Sequence, residues 1–344
     1  MKDIDLKNEL ARYRLDDLLA LLSQVEHYQG SLFAIPKKEK LNRLHDLSVR
    51  RSVTSSNTIE DISVTPKREN ELFDKGADPK DFEDYMLLGY NKALQRVFDS
   101  FSYQTLDEAF VKDLHYDMYA GYNPSFGGRY KDKNNVILSV SKARSEVVFT
   151  PPSWEDAPNL VGNLVYQFNQ LWADPSVNRL LLICLFVLDF VCIHPFNDGN
   201  GRTSRLLTTF LLLKAGYSLE HYYSLSYVVL ENIDGYYSSL KLSDKGWKEN
   251  DFDPTPFAHY LLFCLSEGYR RLLKMIEINE QKLSAKEKVL LAINQAEKPV
   301  SKEGLEEILY SLKRGSIEAR LTQIMKEGLV QRLGINKNTQ YFRK

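Results

Sequence analysis

The sequence predicts a mainly α-helical protein with one β-hairpin near its middle and a small mixed helix-and-strand domain at its C-terminal end. Apolar residues recur at helical spacing from the N-terminus to about residue 280. The one clear strand pattern lies within residues 126–152. Around residues 280–286 the pattern changes to three short helical segments, followed by a strand, a turn and a strand.

The composition is that of an ordinary globular protein. Its 344 residues are 43% hydrophobic and 26% charged, with a net charge of −1, which argues against a disordered chain and against whole-surface binding to nucleic acid. The longest apolar run, residues 180–193, is too short to span a bilayer and predicts a buried helix. No signal peptide is recognised, and three cysteines without a C-x-x-C pair argue against a disulfide framework. We therefore expect a cytoplasmic protein without a membrane segment.

The N-terminal region, residues 1–100, is predicted to be helical. Residues 1–30 fit one or two helices, and the polar stretch that follows fits a helix and then a loop leading into a short helix near 55–62. Residues 80–100 again carry apolar positions at helical spacing, and so does the segment LDEAFVKDLHYDMYA that opens the next region. We expect these helices to pack against one core.

The central region, residues 101–280, contains the hairpin. The pieces NVILSV and EVVFT flank the polar turn SKARS, which predicts a hairpin within 126–150 that ends at the following Pro-Pro pair. Further helices are predicted at Ala157–Trp172, Val177–Ile193 and Arg202–Ala215, followed by two more that end near residue 280.

The stretch HPFNDGNGRTSR, residues 194–205, carries most of the candidate chemistry. Pro195 disfavours helical geometry at the residue before it, so the stretch is a loop running into a helix N-terminus, which suits an anion such as phosphate. Arg202 and Arg205 share a helix face and offer two guanidinium groups to phosphate oxygens. Asp198 is a natural Mg²⁺ ligand, and His194 is the side chain that could accept a proton near pH 7. The pattern predicts phosphoryl or nucleotidyl transfer; the alternative is a tight turn with solvated arginines.

The stretch resembles, at every position, the H-P-F-x-[DE]-G-N-G-R-x-x-R motif of Fic-domain proteins, which mostly transfer AMP from ATP to a hydroxyl of a target protein. The resemblance implies that His194 is the base and that Asp198 binds Mg²⁺. It implies that Asn200 and the surrounding backbone hold the α-phosphate, while Arg202 and Arg205 hold the β- and γ-phosphates.

Other candidate residues follow from the same resemblance. Phe196 is expected to anchor the loop in the core, and Gly201 argues against the phosphorylating Doc branch, which typically has Lys there. The full nucleotide-binding set is Phe196, Asn197, Gly199, Asn200, Gly201, Arg202, Arg205, Tyr236 and Tyr237. Some relatives have Asn where this chain has Asp244, which leaves the contacts to the base open. The hairpin at 126–150 is similar to a flap that aligns a target segment by strand pairing, or it covers a helix edge for structural reasons.

The stretch SNTIED, residues 56–61, resembles the inhibitory motif [ST]-x-x-x-E-[GN] of Fic proteins that carry an N-terminal brake. Ser56 and Glu60 are four residues apart and would share a helix face. The resemblance implies that Glu60 pairs with Arg205 and occupies the place of the γ-phosphate. Asp61 departs from the motif and could alter how this helix ends.

Residues 284–344 show the order of a winged helix-turn-helix domain, with a recognition helix at about Ser316–Lys326 and GINKN as the wing tip. The segment holds 12 Lys/Arg and 7 Asp/Glu, so it is mildly basic. It could bind DNA, dock a protein or serve a structural role.

The sequence therefore predicts an autoinhibited protein adenylyltransferase that uses ATP and Mg²⁺ to modify a Ser, Thr or Tyr hydroxyl. The hydroxyl belongs to a target protein, which could be the enzyme itself. The alternatives are removal of AMP, transfer of another nucleotide such as UTP or GTP, and a winged-helix DNA-binding regulator that senses nucleotide. A homo-oligomer is compatible with the sequence, which does not indicate one.

Overall fold

The computed structural model describes residues 2–35, 41–140, 145–334 and 339–343, and it is mainly helical over these ranges. The predicted fold class is thus confirmed. The helices are α1 Leu6–Leu10, α2 Leu15–Phe33, α3 Asn42–Thr58, α4 Pro66–Lys75, α5 Phe82–Ser100, α6 Glu108–Tyr119, α7 Ala157–Trp172, α8 Arg179–Ile193, α9 Asn200–Lys214, α10 Leu225–Glu231, α11 Ile233–Ser243, α12 Thr255–Glu280, α13 Ala285–Gln295, α14 Lys302–Ile308 and α15 Arg314–Lys326. The strands are β1 Ile137–Val140, β2 Ser145–Phe149, β3 Val300–Ser301, β4 Val330–Leu333 and β5 Gln340–Arg343. None of the helices in these ranges is long and apolar enough to cross a membrane.

Helix α8 lies in the centre of the main core because it is apolar on all sides. It packs against α7, α9, α1 and α12. The one acidic residue in this run, Asp189, is buried and accepts a hydrogen bond of 2.5 Å from Trp247 Nε1. Burial raises the pKa of Asp189, so its carboxyl group resists ionisation. The ends of α8 and α9 are therefore fixed by packing, and the loop between them, residues 194–199, is held at both sides.

Helix α3 brings its C-terminal end to the start of α9. It packs against α5, α10 and α9, and its buried face carries the small residues Ser48, Ser52, Ser55 and Ser56, which allow close approach. We expected a loop within this stretch, and that expectation is wrong: α3 is continuous to Thr58. Its polar side chains bond to carbonyls one turn back, as Asn57 Nδ2 does to Val53 O at 2.9 Å, so they do not compete for the helix backbone.

The other predicted boundaries differ from the structure in small ways. The short helix predicted near 55–62 is not wholly helical, since Glu60 lies in the turn after α3. Helix α9 begins at Asn200, two residues earlier than the sequence suggested, because Gly199 adopts φ 80° as its N-cap and the glycine-rich stretch enters the first turn. Helix α4 was not predicted, although Thr65 caps it and Pro66 occupies its first position.

Strands β1 and β2 pair antiparallel within the predicted hairpin, with a register shift between Ile137 and Leu138. The C-terminal residues 285–343 contain a second hydrophobic cluster, formed mainly by α13, α14 and α15. Strands β3, β5 and β4 form a small antiparallel sheet in that order, β5 in the centre. The turn residues 141–144 and most of the predicted wing tip GINKN lie outside the described residues.

Candidate active site

The loop between α8 and α9 begins with His194 in a left-handed backbone conformation, at φ 51°. Non-glycine residues seldom adopt this conformation, which persists where the surrounding structure enforces it. Here Pro195 disfavours helical geometry at His194, so the helix does not continue. The imidazole is thereby turned out of the helix, and Glu60 and Asp198 lie close enough to influence its pKa.

His194 is poised to accept a proton at Nε2. Its Nδ1 lies 3.3 Å from the carbonyl oxygen of Val191. Since a carbonyl can only accept, this hydrogen bond places the ring proton on Nδ1 and leaves the lone pair on Nε2. Burial, together with the nearby charge of Lys131, lowers the pKa of His194 to about 4. The imidazole is therefore neutral at pH 7, as a general base must be.

Two buried arginines project from the first two turns of α9. Arg202 Nη2 donates to the Tyr119 hydroxyl at 2.7 Å, and Arg205 donates from Nε to Ser56 Oγ at 2.8 Å and from Nη2 to Ser56 O at 2.9 Å. Their guanidinium groups thus contact different elements, although they lie three residues apart. Nε and Nη1 of Arg202 and Nη1 of Arg205 are buried without a hydrogen-bond partner among the described residues. Buried donors of this kind favour an anionic ligand.

Asp198 is the exposed carboxylate of the loop. Its Oδ1 accepts from Gly199 N at 2.7 Å, and its Oδ2 accepts from the Tyr119 hydroxyl at 2.7 Å. Within the described part of the chain, no group of three or more His, Cys, Asp or Glu side chains could hold a metal ion. A single oriented carboxylate nevertheless fits Mg²⁺, which usually takes one or two protein carboxylates and completes its shell with phosphate and water.

Three other predicted residues fix the loop. The Phe196 ring is fully buried, as expected of an anchor. Asn200 is buried and accepts from Phe196 N at 2.8 Å while donating to Phe196 O at 2.9 Å, so its side chain bonds the loop backbone. Asn197 Nδ2 donates to Asp132 Oδ1 at 3.1 Å, on the segment before the hairpin. The backbone amides of the first turn of α9 remain for an anion, because they have no intrahelical acceptors.

Glu60 lies over the first turn of α9. Its Oε1 is 2.7 Å from Arg205 Nη2, and a Cβ atom at position 201 would overlap the same oxygen. Gly201 is thus the residue that lets the carboxylate approach the helix N-terminus, where the helix dipole favours negative charge. The turn after α3 that delivers Glu60 has Asp61 at φ 59°, a left-handed position that Asp and Asn tolerate better than most residues.

The two tyrosines predicted to contact the nucleotide are placed differently. Tyr236 is half-buried and packs against Tyr260, with 5.9 Å between ring centroids. Together with Arg205 it lines a cavity of about 30 Å³. Burial raises the pKa of Tyr236 to about 12. Tyr237 is more than half exposed and lies 5.4 Å from the Tyr236 ring.

Two residues of α6 support the loop and were not singled out from the sequence. The His115 ring stacks on Phe196, with centroids 3.9 Å apart. Gly128 N donates to His115 Nδ1 at 2.9 Å, so Nε2 carries the proton and donates to Asp198 O at 3.0 Å. The Tyr119 hydroxyl links Asp198 to the guanidinium of Arg202. Their spacing of four residues on a predicted helix was the available signal.

The hairpin is joined to the loop by the segment that precedes it. Tyr130 pairs with Phe196 in an isolated antiparallel bridge, and Lys131 N donates to Pro195 O at 2.8 Å. The hairpin therefore starts next to the motif. This contact could not be seen in the sequence, because about 60 residues separate the two segments.

Comparison with protein families decides the nature of this region. Residues 105–212 match the model of the Fic/DOC family. This segment is a Fic/DOC domain. It contains α6, the hairpin, α7, α8 and most of α9, and hence all of the loop 194–199. Glu60 and the residues after 212 lie outside the matched segment of the Fic/DOC domain.

Curated relatives match over less than half of the chain. A probable protein adenylyltransferase of Aquifex aeolicus is 27% identical over 143 residues, which is 42% of this chain and 38% of that protein. The protein adenylyltransferase Fic of Drosophila ananassae is 40% identical over 154 residues, covering 45% and 27% respectively. The chain thus spans well under half the length of these two relatives.

A solved structure shares the fold over nearly the whole chain. A Fic family protein from Desulfovibrio desulfuricans superposes with a TM-score of 0.64 at 20% identity and covers 95% of this chain and 96% of its own. At that identity the similarity establishes the fold alone. The fold of the helices over nearly the whole chain therefore occurs in another protein.

Proposed function

We propose that this chain is a protein adenylyltransferase that transfers AMP from Mg-ATP to a hydroxyl group of a target protein, and that Glu60 restrains it. The observation that carries the proposal is the ion pair between Glu60 and Arg205, made over the N-terminus of α9 beside a neutral His194. The names of the curated relatives support the reaction class. The motif 194–205 supports it at the level of individual side chains.

The chemistry assigned to the chain's own residues is limited to binding, orientation and one proton transfer. His194 Nε2 takes the proton of the attacking hydroxyl, whose oxygen forms a bond to the α-phosphorus as the bond to pyrophosphate breaks. The first-turn amides of α9 hold the α-phosphate, and the buried donors of Arg202 and Arg205 hold the outer phosphates. Asp198 holds Mg²⁺, which neutralises charge on the phosphates when it is bound.

The brake acts through competition for one site. The Glu60 carboxylate occupies the guanidinium of Arg205 and the approach to Gly201, both of which the triphosphate needs. Its charge also repels an incoming phosphate. Ser56 accepts from Nε of Arg205 through its Oγ and from Nη2 through its carbonyl oxygen, so the arginine stays in place when Glu60 leaves.

Recognition of the base is assigned to α11 and of the target to the hairpin. Tyr236 lies beside Arg205, and the exposed ring of Tyr237 is available for stacking on a base. Burial raises the pKa of Asp244 to about 6, so a partly protonated carboxyl group stands where some relatives have Asn. Strands β1 and β2 form a two-stranded sheet within the described residues, so each has an outer edge where a target segment can pair through its backbone, and Val147 and Val148 on β2 are exposed.

We also propose that residues 284–344 form a winged helix that docks proteins. Several basic side chains on this surface are already paired, including Arg314 with Glu306 and Lys302 with Glu318, which disfavours DNA phosphate as the ligand. The segment also contacts α3, since Arg51 pairs with Glu307 and Arg43 Nη1 donates to Tyr310 O at 2.9 Å. The helix that delivers Glu60 is thus in contact with the C-terminal segment.

Intact-mass spectrometry after incubation with Mg-ATP tests the proposal. Glu60→Gly protein should gain about 329 Da per transferred AMP on itself or on added cell protein, and Glu60→Gly/His194→Ala should gain none. Equal modification with and without His194 would refute the assigned chemistry. Loss of about 329 Da from a previously modified protein would instead favour AMP removal as the main reaction.

A further inference from the structure

Lys131 is a lysine that the structure buries almost completely, and the chemistry above does not use it. Its residue is 2% exposed. Its Nζ donates to Pro152 O at 2.9 Å, to Asn135 Oδ1 at 3.2 Å and to Ile193 O at 3.3 Å. Burying an ammonium group is costly unless its hydrogen-bonding capacity is used, and here three oxygen atoms meet its three N–H groups.

These partners belong to three different parts of the fold. Asn135 precedes β1, Pro152 follows β2, and Ile193 is the last residue of α8. The ammonium group therefore joins both ends of the hairpin to the end of the helix that leads into His194. The backbone of the same residue adds a fourth bond, from Lys131 N to Pro195 O at 2.8 Å.

One residue thus holds the carbonyls on both sides of His194. The side chain of Lys131 binds the carbonyl of Ile193, and its main chain binds the carbonyl of Pro195. His194 sits between them in a left-handed backbone conformation that needs such support. Asn135 Nδ2 reinforces the arrangement with a bond of 3.4 Å to Phe196 O.

We propose that Lys131 is a positioning residue for His194, which fixes the base and the target-docking hairpin relative to each other. The proposal rests on the function proposed above, in which His194 is the general base. The charge of the ammonium group contributes as well, because it opposes a second positive charge on the imidazole. Two acidic groups raise the pKa of His194: Glu60 from the turn after α3 and Asp198 from the loop of His194 itself.

A purely structural lysine would stabilise the fold without affecting His194, and the two roles can be separated. Lys131→Met keeps the length of the side chain and removes the charge and the hydrogen bonds, while Lys131→Arg keeps the charge. Both substitutions are made in the Glu60→Gly background, so that the brake does not obscure the rate. The pKa of His194 is measured by NMR titration, with His194→Ala used to assign its resonance.

For Lys131→Met we expect the pKa of His194 to rise by about half a unit or more, because the variant lacks the nearby positive charge that lowers this pKa. We expect kcat to fall about tenfold while KM for ATP changes less than about twofold, because the phosphate-binding arginines are untouched. Amide hydrogen exchange in residues 130–135 and 193–197 should become faster. Lys131→Arg should recover most of the His194 pKa and of kcat.

Unchanged titration of His194 and unchanged exchange in a folded Lys131→Met protein would overturn the proposal. If this variant does not fold, Asn135→Ala tests the proposal instead, because Asn135 is half-exposed. This substitution removes one hydrogen bond of the Lys131 ammonium group and the bond to Phe196 O. That variant should accelerate exchange at 193–197 and lower kcat, and the proposal fails if it does neither. NMR and exchange need no enzymatic turnover, so they judge the role of Lys131 even if AMP transfer is not the reaction.

Discussion

Replacing Glu60 tests the proposed brake. The carboxylate can be removed in two ways. Glu60→Gln removes the negative charge and keeps the volume, whereas Glu60→Gly removes both. In either variant Arg205 retains its bonds to Ser56 Oγ and Ser56 O, so the guanidinium proposed to bind phosphate should stay in place. Any gain in activity then reports the carboxylate rather than a rearranged site.

The magnitude follows from the geometry of the ion pair. A charge-assisted hydrogen bond such as that at 2.7 Å between Glu60 and Arg205 contributes about 1.5–3 kcal/mol. The Glu60 side chain is 33% exposed, so solvent screening places the value near the lower end of that range. About 1.5 kcal/mol corresponds to roughly a tenfold gain in ATP affinity. We expect about this gain for Glu60→Gln and a larger one for Glu60→Gly, which also clears the approach to Gly201.

ATP binding is measured by calorimetry, and AMP transfer by incorporation of labelled nucleotide. Glu69→Gln is the matched control. Glu69 pairs at 2.7 Å with Arg50, which lies on α3, and its replacement changes the net charge by the same amount as Glu60→Gln. This control should behave as the wild type. If neither Glu60 variant binds ATP more tightly, or if Glu69→Gln gains as much, competition for Arg205 is not the mechanism.

Three further predictions concern Gly201, the pH dependence and the C-terminal contact. Gly201→Ala should expel the Glu60 carboxylate and lower the free energy of unfolding by about 1–2 kcal/mol. Thermal or denaturant unfolding of this variant, of Glu60→Gly and of the double mutant should show that the two effects are not additive. For Glu60→Gly, kcat/KM should stay level as the pH falls from 8 to near 5 and should then drop with an apparent pKa of about 4. The reason is that protonated His194 cannot accept a proton. A drop near pH 6.5 would contradict the buried environment of the imidazole. Arg51→Ala, which removes the pairing with Glu307 and the stacking on Tyr227, should raise AMP transfer a few-fold in the wild type and leave Glu60→Gly unchanged.

Local sequence rules were sufficient for most helices and for the loop between α8 and α9. Continuous apolar character predicted the buried helix α8, and Pro195 predicted its end. The same rules failed in α3, where Ser, Thr and Asn suggested a loop. Their side chains bond within the helix and face a closely packed neighbour, which a propensity argument does not include.

The parts of the site that depend on distant contacts could not be derived from local patterns. Pairing of Glu60 with Arg205 was expected from a resemblance and not from spacing, since 145 residues separate them. His115, Tyr119 and Lys131 were missed, because each acts on the loop from another element. The side chain of Asn200 bonds the loop backbone, which local patterns did not indicate, and its contact with the α-phosphate stays a prediction.

The position of the label that reaches protein is the most direct test of the central claim, AMP transfer by His194 under restraint by Glu60. Glu60→Gly protein is incubated with cell protein and ATP labelled at either the α- or the γ-phosphate. We expect labelling from α-labelled ATP, none from γ-labelled ATP, and none from either when His194 is also replaced by Ala. Labelling from the γ-phosphate, or labelling that persists without His194, would contradict it.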